Sequence, residues 1–147
     1  MIKHALMALA VFATPVAAQE VIDCDWQARA DAIVEPWEDN TRTFANGAVR
    51  LALLDTIEPA AGAFHVLVLS PPYDEVGGRQ CKTIGVGGGA GFSGVGFEDI
   101  TAEYDPVKGL SFWLEVDYYD GELADFSGGS LSFSVNQQTG AVEAVLE

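Results

Sequence analysis

Two stretches in the last third of the chain alternate apolar and polar residues with a period of two. This limits the fold more than any other feature of the sequence. In GLSFWLEVDYY, Gly109–Tyr119, residues Leu110, Phe112, Leu114, Val116 and Tyr118 share one face; Ser111, Trp113, Glu115, Asp117 and Tyr119 share the other. Successive side chains of a strand point to opposite sides, so such a segment buries one face and wets the other. In SLSFSVNQQTGAVEAVLE, Leu131, Phe133 and Val135 oppose Ser132, Ser134 and Asn136. Thr139-Gly140 then turns the chain into a last strand with Val142, Ala144 and Leu146 inward, which predicts a C-terminal hairpin.

Three apolar runs precede these: Ala48–Asp55 (AVRLALLD), Ala63–Ser70 (AFHVLVLS) and Arg79–Val86 (RQCKTIGV). Asn46-Gly47, before the first, is a tight-hairpin pair. Pro71-Pro72, after the second, is expected to stop it because proline cannot donate to a ladder. In CDWQARADAIVEPWEDN, residues Trp26, Ala30, Ile33, Val34 and Trp37 fall at helical spacing. Asp25 suits an N-cap, and Pro36 should end the helix near Glu35. The expected fold class is therefore mainly β (α+β). It is an antiparallel sheet, curled or sandwiched, of about six or seven strands with one N-terminal helix packed on it. Residues 19–147 are expected to form a single globular domain.

The first residues, MIKHALMALAVFATPVAAQE, have the layout of a secretory signal peptide. Lys3 precedes a short apolar run, Pro15 breaks it, and small residues lead to Gln19. The run is shorter than the roughly 20 residues that span a bilayer. Residues 1–18 are thus expected to be cleaved, leaving a periplasmic or secreted chain with no membrane insertion. A lipid anchor is not expected, because Cys24 follows Val21-Ile22-Asp23 rather than the small residues. In an oxidising compartment Cys24 and Cys81 are expected to form a disulfide.

Charge narrows the partners. Of the 7 basic residues only Lys3 lies in residues 1–18, so residues 19–147 carry six Lys and Arg against 22 acids, a net charge of −16. Such a chain repels nucleic acid and anionic membranes and favours cationic partners.

The stretch GVGGGAGFSGVGF, Gly85–Phe97, contains a formal GxGxxG at Gly89, Gly91 and Gly94. Dinucleotide sites need that pattern between a strand and a helix, and more glycine follows here instead. The run reads as a flexible or tightly turning link between strands, with Phe92, Val95 and Phe97 tacking it to the core. His65 lies inside an apolar strand with no serine elbow to serve, so a structural role is expected. The segment DYYDGELAD gathers Asp117, Asp120, Glu122 and Asp125, but Gly121 is one place too early for an EF-hand. It reads as a solvated acidic loop, with weak calcium binding as the alternative.

No catalytic, cofactor-binding or metal-ligating set emerges. Aromatic residues beside acids suit a cationic partner, which selects Tyr73, Asp74 and Glu75 together with Trp113, Asp117, Tyr119 and Asp120 as a candidate binding surface. The sequence is read as a small acidic exported domain, non-enzymatic and acting by binding, with a basic envelope protein as the expected partner. The alternatives are a hydrolase using dispersed carboxylates and a calcium-stabilised domain.

Overall fold

The computed structural model describes residues 19–147; the signal-peptide expectation falls on residues outside that range. The described chain forms ten strands: β1 (Glu20–Asp23), β2 (Thr41–Phe44), β3 (Val49–Asp55), β4 (Phe64–Tyr73), β5 (Arg79–Gly85), β6 (Gly94–Val95), β7 (Thr101–Asp105), β8 (Gly109–Asp120), β9 (Asp125–Val135) and β10 (Val142–Leu146). They make two five-stranded sheets. The first runs β1-β5-β4-β3-β2. The second runs β10-β9-β8-β6, with β7 also paired to β8. Every pairing is antiparallel. The first sheet is thus built wholly from residues 20–85 and the second from residues 94–146.

The period-two faces meet between the sheets. Val49, Leu51, Leu53, Val66, Val68 and Ile84 from the first sheet pack with Leu110, Phe112, Leu114, Val116, Leu131, Phe133, Val135 and Ala144 from the second. Phe112 pairs in register with Phe133, and their rings stack at 4.8 Å. Phe92 and Phe97, from the glycine-rich run, complete this core. Each buried phenylalanine contributes about 2–3 kcal/mol of transfer free energy.

The glycine run is the crossing between the two sheets. Phe92 and Phe64 exchange two backbone hydrogen bonds (N–H to O, 2.7 and 3.0 Å), and the Gly91 N–H donates to the Gly62 carbonyl at 2.8 Å. A Cβ placed on Gly91 would overlap the Phe64 carbonyl and lie 2.7 Å from the His65 ring and 2.8 Å from the Gly62 carbonyl. The backbone can run this close only without a side chain. The segment is followed by a two-residue strand and a 3₁₀ turn at Phe97–Asp99, not by the helix a pyrophosphate site needs.

Three expectations are corrected. The N-terminal helix is absent: among the described residues the only helical elements are 3₁₀ turns, and the one here is Ala30–Ala32. The segment is instead a strap over the outer face of the first sheet. Its backbone is spent on the sheet: Cys24 N–H donates to Cys81, Val34 N–H to Leu53, and Ile33 bridges Leu54. Ala32 packs with Ala52, Leu54 and Leu67, while Trp26 and Trp37 of the supposed stripe are each 51% exposed. An isolated helix this short is marginal in water, so sheet contacts decide the conformation. Ten strands replace six or seven because β1, β2 and β6 have four residues or fewer, and the five-residue β7 is exposed along nearly all its length with no apolar alternation to mark it.

Pro71-Pro72 does not stop β4, which continues to Tyr73 through a register shift between Ser70 and Tyr73. An irregular ladder needs no proline N–H. The Asn46-Gly47 turn does join β2 to β3: Ala45, Asn46 and Gly47 all have positive φ (52°, 55° and 86°).

Cys24 and Cys81 are disulfide-bonded, fixing the strap to β5. Denatured, unreduced protein should show no free thiol by Ellman titration. The paired Cys24→Ser, Cys81→Ser variant should lose about 4 kcal/mol of stability by loop entropy. Gly91→Ala should cost about 3 kcal/mol in urea melts, since backbone atoms cannot yield to the added methyl. Gly88→Ala is the control: its φ is 61° with open space around it, so only about 1 kcal/mol of backbone strain is expected.

Candidate functional site

The outer face of the second sheet is left uncovered by the fold and carries most of the exposed aromatic and acidic side chains of β8. The register of β7, β8, β9 and β10 sets these side chains in rows. Thr101, Trp113, Ser132 and Val145 form one row; Glu103, Ser111, Ser134 and Glu143 form the next. Strand β9 supplies only small residues to the middle of this face, Ser130, Ser132 and Ser134. The strands beside it supply Trp113, Glu143 and Val145. Short side chains between taller ones leave a trough along β9. Its volume is about 430 Å³, and Ser111, Trp113, Ser132, Ser134, Glu143 and Val145 line it. Lys108 and Asn136 stand at one end, and Glu143 is the only acid on its walls. Trp113 is 38% exposed, enough to offer a ring edge or face to a partner.

Charge divides unevenly between the two halves of the chain. Residues 94–147 hold eleven acids against Lys108 alone, a net of −10. Residues 19–93 hold eleven acids against five bases, a net of −6. Several of those bases are engaged locally. Arg29 pairs with Asp31, Lys82 with Asp23, and the Arg42 guanidinium lies 5.7 Å from the Phe97 ring centre.

The seven residues selected from sequence fall in two places. Tyr73, Asp74 and Glu75 form the β4–β5 turn of the first sheet. There the Arg79 guanidinium lies over the Tyr73 ring at 5.8 Å, and Asp74 Oδ1 accepts from the Val76 and Gly78 N–H groups. Pro72, just before this turn, abuts Gly140 of the β9–β10 turn. The group therefore sits at the end of the sandwich where β8 starts, with Asp120 at the other end of that strand. Trp113, Asp117 and Tyr119 do share the outward face of β8. The Asp117 carboxylate lies over two glycine backbones: Cβ atoms built on Gly94 and Gly128 would be 3.1 and 3.4 Å from its oxygens. Tyr119 packs edge-on against Phe126, its register partner, at 5.6 Å. Asp120 instead holds the β8–β9 turn, accepting from the Glu122 and Leu123 N–H groups.

Ser111, Ser132, Ser134, Glu143 and Phe126 were not selected. Alternation alone marks the serines as outward-facing. Aligning them with Trp113 and Glu143 requires the strand register.

His65 is 2% exposed, with its ring nitrogens 3.3 and 3.4 Å from the Ala63 and Gly89 carbonyls. It pins the glycine-rich loop to β4. Among the described residues no group of three or more His, Cys, Asp or Glu is placed to hold a metal ion. Nor is any helix among them long and apolar enough to cross a membrane. No family model matches the chain, and no curated protein or solved structure matches it.

One acid near the trough has a defined titration. Asp105, in the β7–β8 turn, accepts hydrogen bonds from the Lys108 and Val107 N–H groups, which hold its carboxyl below the usual carboxylate range. A lowered value stabilises the fold above the unfolded-state pKa of about 3.9, and that contribution is lost as pH falls through the folded-state value. Carboxyl NMR should show Asp105 titrating below pH ~3.9. Asp105→Asn should remove that part of the acid sensitivity.

Proposed function

We propose that this protein is a non-enzymatic binding domain whose outer second-sheet face docks a cationic partner, a basic protein of the cell envelope or exterior. The observation that carries this reading is the outward row of β8, where two acids, Glu115 and Asp117, lie between two aromatic residues, Trp113 and Tyr119, on the more acidic half of the molecule. Aromatic faces and carboxylates attract ammonium and guanidinium groups together, by cation–π and Coulomb terms. The same charge opposes nucleic acid.

The exported setting rests on the N-terminal sequence and on the Cys24–Cys81 disulfide, a bond that persists in oxidising compartments. Hydrolysis by paired carboxylates has little geometric support, because only one acid lines the trough. Calcium has little either, since among the described residues no three of His, Cys, Asp or Glu are grouped to hold a metal ion.

A pull-down of residues 19–147 from envelope or extracellular extract should recover a basic protein at low salt and release it at high salt. Capture should fail with the combined variant Glu115→Gln, Asp117→Asn, Glu143→Gln. Capture by that variant as strong as by the parent, or capture indifferent to salt, would refute the assignment of this face.

A further inference from the structure

Resting on that reading, we infer that the trough along β9 is a subsite for one arginine or lysine side chain of an extended basic segment, with Trp113 as its wall. Two observations converge on this occupant. The floor is Ser111, Ser132 and Ser134, whose hydroxyls can accept from a cationic donor without filling the space. The volume, about 430 Å³, suits a long side chain with part of its backbone rather than a folded surface.

Charge then orients the occupant. Glu103 and Glu143 end the serine row beside the Trp113 row, on β7 and β10, and Glu115 follows two residues along β8. Neighbouring strands lie about 4.8 Å apart, so the three carboxylates surround the indole at roughly one to three strand spacings. A guanidinium over Trp113 therefore has acids on the rows to either side, of which Glu143 lines the trough itself. Lys108 stands at the Asn136 end of the trough and repels a cation there. The charged tip accordingly sits at the Trp113 end, with the less charged part of the segment toward Lys108. A strand-like segment can follow β9 because the trough runs along that strand.

The test uses a nine-residue oligoarginine peptide as probe and the Trp26→Phe, Trp37→Phe protein as background, which leaves Trp113 as the sole tryptophan of residues 19–147. Adding peptide should change Trp113 fluorescence saturably, and the affinity should fall as salt rises. Affinity followed by calorimetry should drop tenfold or more in Trp113→Ala and in Ser132→Leu, which fills the floor. Lys108→Gln should tighten binding several-fold, and Ile57→Ala, exposed on the β3–β4 loop of the other sheet, should leave it within twofold. Unchanged melting temperatures establish that the variants fold. Should Ser132→Leu fail to fold, Glu143→Gln replaces it, with a several-fold loss expected. If the peptide binds with salt dependence but Trp113→Ala and Ser132→Leu bind equally well, the subsite is wrong and the acidic face stands. If no peptide binds at low salt, both the subsite and the cationic-partner reading are overturned.

Discussion

Backbone against backbone at Gly91 is the contact on which the architecture depends. The chain leaves β5 at one sheet and must enter the other without opening a gap between them. It does so by laying the crossing directly on the start of β4, bonded to Gly62 and Phe64. That approach brings Phe92 and Phe97 into the core, where they join side chains from both sheets. A side chain at position 91 would hold the crossing off β4 and pull both rings outward. The buried His65 ring, on the strap side of β4, packs against the same loop at Gly91 and contacts the Gly89 carbonyl.

The two outer faces then meet different fates. The first sheet is covered by its own strap, which is why β3 and β4 are apolar on both sides: Leu54 and Leu67 face the strap while Leu53 and Val66 face the core. The second sheet has no such cover and stays polar outside. Serines on its middle strand keep that surface low, and acids on the strands around it keep it charged. Charge on exposed strands also discourages edge pairing. Strand β7 has one free edge and carries Glu103 and Asp105, so a second copy laid against it would meet like charges.

How much of this was legible in the sequence depended on segment length and on register. Strand β8 and the C-terminal hairpin could be read because their alternation runs long enough to fix a period, and Leu110, Phe112, Leu131 and Phe133 are all buried. The role of the glycine run was legible because nothing helical follows it. Strand β1 could not be read, since four residues paired to β5 have no period of their own. The strap misled because Ala30, Ile33 and Val34 sit at helical spacing, whereas the disulfide and the bonds to Leu53 and Leu54 decide its shape. The candidate face was half legible. Trp113, Asp117 and Tyr119 followed from alternation, but the serine floor needed Ser111 set opposite Ser134, and Trp113 opposite Ser132. Tyr73–Glu75 resembled the same chemistry, yet three-dimensional placement put it on the other sheet.

Each sheet is made from one uninterrupted half of the chain, and the Gln19 N–H donates to the Ala144 carbonyl at 2.9 Å, so the first and last strands lie side by side. The connectivity is therefore almost a ring, closed by the crossing on one side and by the β1–β10 seam on the other. The order of the two halves along the chain is nearly irrelevant to the architecture. Residues 20–85 and 94–146 could therefore exchange their order along the chain without breaking any strand pairing within either sheet.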